Sequence, residues 1–115
     1  MDIKQLRKIQ ISQDEELGFS LEFKDQKSKY DQLTKELVGL FGEIGEFSNI
    51  VKKINLKLEH ENYKFDIETA KEGLAEEFVD SLIYLLRISE ILNIDIEKET
   101  IKKIKKNRER YIGIK

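Results

Sequence analysis

The sequence contains no cysteine, no proline, no tryptophan and a single histidine among its 115 residues. Without cysteine the chain has no disulfide, no thiol nucleophile and no cysteine-ligated zinc or iron–sulfur centre. One histidine is too few for a histidine-rich metal site, and the absence of proline permits long unbroken helices. Any catalysis would therefore depend on carboxylates, lysines, arginines and hydroxyl groups.

A large excess of positive or of negative charge is also missing. Charged residues form 38% of the chain, but 21 Lys+Arg almost balance 23 Asp+Glu, which gives a net charge of −2. This balance provides no general attraction to nucleic acid or to an anionic membrane, and no apolar run approaches the ~20 residues that span a bilayer. The opening segment, MDIKQLRKIQ, lacks the apolar stretch of a signal peptide. We therefore expect one soluble, cytoplasmic domain covering residues 1–115, with no membrane or nucleic-acid partner.

Apolar residues recur at helical spacing in four stretches, which predicts an all-α, four-helix arrangement. The spacing is clearest in the second stretch, where seven apolar residues alternate between steps of four and three. These residues are Leu33, Leu37, Leu40, Ile44, Phe47, Val51 and Ile54. The predicted helices run from Asp2 to Gly18, from Ser28 to Leu56, from Thr69 to Leu92 and from Asp95 to Arg110. A polar segment, residues 57–68, is predicted to be a loop.

Three glycines lie inside the second predicted helix, at Gly39, Gly42 and Gly45. Each glycine costs a helix about 1 kcal/mol relative to alanine. We therefore expect a compensating close approach there by another helix or by a ligand.

The later helices carry two further signals. Thr69 and Glu72 fit the S/T-x-x-E capping box, which predicts that the third helix begins at Thr69. In the fourth helix, Ile96, Ile101 and Ile104 are predicted to face inward. One wide apolar face on so short a chain also indicates that subunits associate.

Two pairs of acids stand out, Glu43 with Glu46 and Glu77 with Asp80. Residues three apart share one flank of a helix, so each pair presents two carboxylates together. Asp80 lies within FVDSLIYLL, the least polar stretch, where a charged carboxylate is costly unless it is paired, hydrogen-bonded or metal-bound. If the two helices pack together, mutual repulsion raises the proton affinity of these acids, and a cation such as Mg²⁺ or Mn²⁺ relieves it.

The acids also have a purely structural interpretation. Glutamates three residues apart are common on solvated helix faces, and Glu46, Glu76 and Glu77 fit that description. Asp80 fits a buried acid satisfied by hydrogen bonds. The sequence alone leaves both interpretations open.

The cations are concentrated near the end of the chain. Residues 102–110, KKIKKNRER, hold six Lys/Arg and one Glu. Cations at the end of a helix complement its dipole and are mostly solvated. Alternatively they form a phosphate clamp, which Lys52 and Lys53 could join from the second helix.

Three segments together resemble the MazG-like all-α nucleoside triphosphate pyrophosphohydrolases, which include MazG, the dCTP pyrophosphatases and the dimeric dUTPases. The segments are LVGLFGEIGEFSNIVKK (37–53), EEFVDSLIYLLRISEILNID (76–95) and KIKKNRERY (103–111). The family signature is E-x-x-E on one helix and E-x-x-D on the next, which Glu43, Glu46, Glu77 and Asp80 match. The resemblance covers residues 33–111. The spacing between the two pairs is at the long end for compact members of the family, and the extra length falls in the polar loop, residues 57–68.

The resemblance implies hydrolysis of nucleoside triphosphates, including noncanonical or deoxy forms, to monophosphate and pyrophosphate. The four acids would hold Mg²⁺, with Mn²⁺ as a substitute, and Glu43 or Glu46 would activate the attacking water. Phosphate contacts would come from Lys53, Lys103, Asn107 and Arg110. Base contacts would come from Gln10, Phe19 and Phe23. A homodimer or homotetramer would complete the pocket.

Two other functions remain compatible with the sequence. The chain could be a non-catalytic helical module that binds nucleotide or another protein. It could also be an oligomeric scaffold whose acids form salt bridges at an interface. Dependence on a divalent metal separates the enzyme from both alternatives.

Overall fold

The computed structural model describes residues 1–114, and their regular structure is helical throughout. The helices are α1 (Ile3–Glu16), α2 (Gln26–Glu59), α3 (Ile67–Ile91) and α4 (Ile96–Tyr111), followed by a 3₁₀ turn at Ile112–Ile114. The predicted all-α fold with four helices is therefore confirmed. Within residues 1–114, no helix combines the length and the apolar character needed to cross a membrane.

The chain forms two compact units, and a single domain over residues 1–115 stays a prediction. One unit contains residues 23–85, and the other contains residues 1–22 together with the chain from Leu86 onward. We call the first the hairpin unit, because it consists mainly of α2 and most of α3. We call the second the terminal unit, because it brings α1 together with the end of α3 and with α4.

In the hairpin unit, α2 and α3 run antiparallel in a regular register. Steps of four, three and four residues along α2 are matched by equal steps backward along α3. The opposed residues are Gly39 with Tyr84, Glu43 with Asp80, Glu46 with Glu77, and Ile50 with Gly73. Because steps of three and four keep to one side of a helix, these residues lie along the seam between the two helices.

In the terminal unit, Arg7 ties α1 to the end of α3 and to the turn before α4. Its Nη1 donates to Ser89 Oγ at 3.0 Å and to the carbonyl oxygen of Ile94 at 2.6 Å. Its Nε pairs with Glu90 Oε2 at 3.2 Å. A planar guanidinium suits this task, since it presents several donors in fixed directions.

A second ion pair in the terminal unit joins Asp14 of α1 to Arg87 of α3. Their side chains are only 10% and 13% exposed. Gln10 Nε2 also donates to the Asp14 carboxylate at 2.9 Å. This part of the unit is therefore held together by a largely desolvated polar network.

Local signals set most helix ends. Asp2 and Asp95 are the N-caps of α1 and α4, and each accepts a backbone N–H three residues further on. Gly18 and Asn93 end α1 and α3 with positive φ values of 87° and 53°. These backbone angles suit the left-handed residue that follows many helices.

The predicted start of α3 at Thr69 is wrong, because the helix begins at Ile67. Asp66 takes over the capping role: its carboxylate accepts from the Glu68 backbone N–H at 3.0 Å and from the Thr69 hydroxyl at 2.7 Å. These hydrogen bonds lower the pKa of Asp66. The loop between the two helices is correspondingly shorter than residues 57–68 and spans residues 60–66.

The predicted inward direction of Ile101 and Ile104 is also wrong. These side chains are 52% and 58% exposed, and α4 has no buried residue in the part of the chain that is described. The helix packs against α1, but that contact leaves this apolar stripe uncovered. Only Ile96 of the three predicted residues is half-buried.

Buried apolar side chains are few. Across residues 1–114 they are Leu40 in the hairpin unit and Leu86 and Ile91 in the terminal unit. Large apolar residues of the hairpin unit are instead exposed, among them Val38 and Phe41. On the predicted apolar face of α2, Leu40 is buried, whereas Leu37, Ile44 and Val51 are 38%, 42% and 37% exposed, so that face is only partly covered.

Candidate metal centre

The four predicted acids lie together on the seam of the hairpin unit, and we call them the acid cluster. Carboxylate oxygens of Glu43, Glu77 and Asp80 all lie within 4.8 Å of one another, and each of these residues is half-buried. Glu46 lies outside this group of three and is exposed, but its side chain hydrogen-bonds to Glu77. The antiparallel register thus brings together acids that are 31 to 37 residues apart in sequence.

Two oxygens of the acid cluster are cut off from solvent without a hydrogen-bond donor. They are Oε2 of Glu43 and Oε2 of Glu77, and while both carboxyls are ionised no donor from residues 1–114 reaches either oxygen. Two ionised carboxylates can only accept, so their close approach requires either a proton between them or a cation.

The proton affinity of Glu77 reflects this crowding. Hydrogen bonds from its carboxyl to Glu43 and Glu46, with smaller contributions from burial and from their charges, raise its pKa to about 8. At neutral pH a proton therefore remains on Glu77, and its hydroxyl supplies the donor that the neighbouring carboxylates lack. The predicted rise in proton affinity is found at this residue.

The predicted cations lie in both units. Lys53 is on α2, ten residues beyond Glu43, and is half-buried. Lys103, Asn107 and Arg110 are on α4 of the terminal unit, where Asn107 is half-buried and the other two are exposed.

The residues predicted to contact a base are also divided between the units. Gln10 and Phe19 belong to the terminal unit, and Phe23 belongs to the hairpin unit. Phe19 is 63% exposed, whereas Phe23 is half-buried. The amide of Gln10 donates to Asp14, so this residue has a role in the fold.

The glycines of α2 differ in what surrounds them. A Cβ atom on Gly39 would lie 2.5 Å from both Cε1 and Oη of Tyr84, so the expected close approach of another helix is found there. No atom lies within 4 Å of a Cβ built on Gly42 or Gly45. Another helix therefore does not approach closely at these two glycines, whose surroundings are open within residues 1–114.

An apolar cleft of about 250 Å³ that sequence reasoning did not identify lies beside the acid cluster. Its lining alternates in sequence with the acids, because several of these residues directly follow one of them. The lining residues are Ile44, Phe47, Phe78, Ser81, Leu82 and Leu85. Ile44 and Phe47 belong to the seven apolar residues that predicted the second helix. Their periodicity predicts an apolar face but does not indicate that part of it is left open as a cleft.

Comparison with known proteins adds no constraint. No family model, no curated protein and no solved structure matches the chain. The similarity to the MazG-like enzymes thus remains a resemblance carried by the acid cluster and its flanking residues. Any function has to be argued from the geometry of the cluster itself.

Proposed function

We propose that the chain is a cytoplasmic, Mg²⁺-dependent hydrolase that converts nucleoside triphosphates, including noncanonical or deoxy forms, to monophosphate and pyrophosphate. The observation that carries this proposal is the convergence of carboxylate oxygens from Glu43, Glu77 and Asp80 within 4.8 Å. Such a set of hard oxygen donors suits Mg²⁺ or Mn²⁺. Mg²⁺ sites of this kind usually share their ligation with substrate phosphates.

The donors of the cluster fit a divalent cation. Glu43 and Glu77 each direct one solvent-excluded oxygen into the cluster without a donor from residues 1–114. A bound cation would satisfy both oxygens and would replace the proton on Glu77. When present, the ion would also offset the charge of the triphosphate and polarise the phosphoryl group that is attacked.

The arrangement supports dividing the acids by role. Glu43, Glu77 and Asp80 are the proposed ligands, because their oxygens converge. Glu46 is exposed beside them, so we propose that it is the general base that accepts the proton of the attacking water, with Glu43 as the alternative. The water oxygen would bond to the α-phosphorus and the α–β anhydride bond would break. Pyrophosphate would then leave, while the glutamate holds the proton of the water.

The proposed contacts with the phosphates and with the base follow from the resemblance. Lys53 and the α4 residues Lys103, Asn107 and Arg110 offer the donors that phosphate oxygens accept. The exposed ring of Phe19 suits stacking on a base. Gln10 and Phe23 complete the proposed base contacts.

The test is pyrophosphate release across a panel of canonical and modified nucleoside triphosphates, with Mg²⁺ and then with EDTA. We expect turnover of at least one nucleotide that EDTA abolishes. Glu43→Gln, Glu46→Gln and Asp80→Asn should each lower kcat by about 100-fold or more. A protein that turns over no nucleotide with Mg²⁺ is not this enzyme, and full activity in all three variants would place the site elsewhere.

A second candidate is a helical module that acts by association, and exposed apolar side chains on the hairpin unit favour it. Val38, Phe41 and Phe78 are 69%, 67% and 63% exposed, and such surfaces commonly mark protein contacts. We propose that they are covered by further copies of the chain in a homodimer or homotetramer. Assembly that persists in EDTA, without nucleotide turnover in Mg²⁺, would favour the module over the enzyme.

A further inference from the structure

Two glycine contacts lie on either side of the acid cluster. On one side, Gly39 precedes Glu43 by one helical turn, and its neighbour Tyr84 follows Asp80 by one turn. Since one turn is about 5.4 Å of helix, this contact lies about that far from the cluster along both helices.

On the other side the arrangement repeats with the helices exchanged. Gly73 precedes Glu77 by one turn on α3, and its neighbour Ile50 follows Glu46 by one turn on α2. Each helix therefore contributes one glycine, and each glycine receives a large side chain from the opposite helix. The acid cluster is thus bracketed by two places where the backbones can approach closely.

The two contacts differ in how easily they would accommodate a Cβ atom at the glycine. A Cβ on Gly73 would lie 3.2 Å from Cδ1 of Ile50, the far end of a flexible side chain that can shift slightly. A Cβ on Gly39 would lie 2.5 Å from the ring atom Cε1 and from the hydroxyl oxygen Oη of Tyr84, which is a clash. The rigid ring already occupies the volume that any side chain at position 39 would need.

We propose that the Gly39–Tyr84 contact sets the separation of α2 and α3 at the acid cluster, which makes both residues positioning residues for the divalent cation. The side chains at a helix contact determine the distance between the axes, and Mg²⁺ demands near-ideal geometry at about 2.1 Å from its ligands. A shift of α2 away from α3 at Gly39 therefore separates Glu43 from Asp80. This inference rests on the proposed metal site.

Gly42 provides a matched control on the same helix. It lies three residues beyond Gly39, and a Cβ there meets no atom within 4 Å. Alanine at either position brings the same gain in helix propensity. Only Gly39→Ala also pushes on the neighbouring ring, so the difference between the two variants isolates the contact.

The experiment compares Mn²⁺ affinity, by titration of the metal alone, in the wild type and in four variants with checked helical content. We expect Gly39→Ala to weaken binding about 10–100-fold, as mutations that displace metal ligands do, and Gly42→Ala to leave it within about twofold of wild type. Tyr84→Phe keeps the ring and should also bind normally. Gly39→Ala combined with Tyr84→Ala removes the clash and should recover affinity by about threefold or more over Gly39→Ala.

Three results would overturn the inference. They are wild-type affinity in Gly39→Ala, a loss in Tyr84→Phe as large as that in Gly39→Ala, and a double variant no better than Gly39→Ala. If Gly39→Ala alone fails to fold, the double variant is compared with the wild type: it should fold and bind Mn²⁺, and a double variant that also fails to fold or to bind Mn²⁺ overturns the inference. A wild type that binds no Mn²⁺ contradicts the proposed function instead.

A second measurement needs no metal. Because the chain contains no cysteine, spin labels can be attached at cysteines introduced only at Val38 and Leu85, which are exposed neighbours of the contact. Electron paramagnetic resonance should report a longer distance between the labels in Gly39→Ala and an unchanged distance in Gly42→Ala. An unchanged distance in Gly39→Ala would contradict the role of the contact even if Mn²⁺ never binds.

Discussion

Glu77 is the residue at which the chemistry of the acid cluster is most visible. Its carboxyl is held against Glu43 and Glu46, which raises its pKa to about 8. A cation that takes this position has to displace a proton at neutral pH. If the acid cluster binds the cation as we propose, metal affinity and proton release are linked at this side chain.

The first prediction concerns pH. Binding of Mn²⁺ should tighten as pH rises toward about 8 and should release close to one proton per ion at pH 7. Calorimetric titration in buffers of different ionisation enthalpy measures the released proton. Glu77→Gln should remove the release, and binding that is independent of pH from about 6 to 8 would contradict the linkage.

The same pKa has a consequence for stability without metal. A folded-state pKa above the unfolded value stabilises the fold most below the unfolded pKa of 4.5, and this contribution is lost as pH rises through about 8. The midpoint of thermal unfolding in EDTA should therefore fall between about pH 5 and pH 8. It should fall less in Glu77→Gln, whose amide cannot ionise.

A second residue-scale prediction concerns the terminal unit. Asp14→Asn removes the negative charge opposite Arg87 in a pair whose side chains are 10% and 13% exposed. Breaking such a desolvated pair should lower the free energy of unfolding by about 3 kcal/mol. The matched control is Asp31→Asn, because the Lys27–Asp31 pair is exposed and should cost less than about 0.5 kcal/mol. Urea unfolding measures both, and equal losses would contradict the account.

Residue types and spacing predicted the acids but not this ion pair. Glu43, Glu46, Glu77 and Asp80 are visible because each pair repeats at three residues on one helix. Asp14 and Arg87 are 73 residues apart, and nothing in either local pattern indicates the other. Arg87 does interrupt an apolar stretch, which marks it as a cation needing a partner without identifying that partner.

At the scale of the helix, the local sequence predicted a helix start correctly where only one side chain could cap it. Asp2 and Asp95 were predicted as the starts of the first and fourth helices, and each is the N-cap directly before its helix. At α3 the Thr69 signal failed, since Asp66 is a stronger acceptor and captures the Thr69 hydroxyl itself. At α4 periodicity showed that Ile101 and Ile104 share a face, but it cannot show what covers that face.

Glycine substitutions provide a prediction for the helices. Gly45→Ala should stabilise the protein by about 0.5–1 kcal/mol, because the site is helical and open. Gly18→Ala should destabilise it by about 1 kcal/mol, because φ there is +87° although space is equally open. Thermal unfolding of the two variants compares the same substitution with opposite expected signs. A shift of the same sign in both would contradict the backbone argument.

At the scale of the whole molecule, the sequence predicted the all-α class and the apolar face of α2. It could not predict how little of that face is covered within residues 1–114, since burial depends on what packs against a helix. Leu37, Ile44 and Val51 of that face are 38%, 42% and 37% exposed, and Val38, Phe41 and Phe78 elsewhere on the hairpin unit are 69%, 67% and 63% exposed. Covering them by further copies of the chain is the simplest way to remove this apolar area from water.

The corresponding prediction is that the protein self-associates. Light scattering should give the mass of a dimer or tetramer for the wild type, and Phe78→Lys should shift it toward the monomer mass of 13.6 kDa. Leu58→Lys is the control, because Leu58 is equally exposed at 71% but lies at the loop end of α2. A monomeric wild type, or equal dissociation in both variants, would contradict association through this face.

The most direct test of the central claim compares two adjacent glutamates. Glu77 belongs to the acid cluster, whereas Glu76 is exposed and outside it. Glu77→Gln resembles the protonated side chain, so the fold should persist while a proposed metal ligand is lost. With Mg²⁺ present, pyrophosphate release should fall about 100-fold or more in Glu77→Gln and remain at the wild-type rate in Glu76→Gln. Equal rates in the two variants would contradict the account.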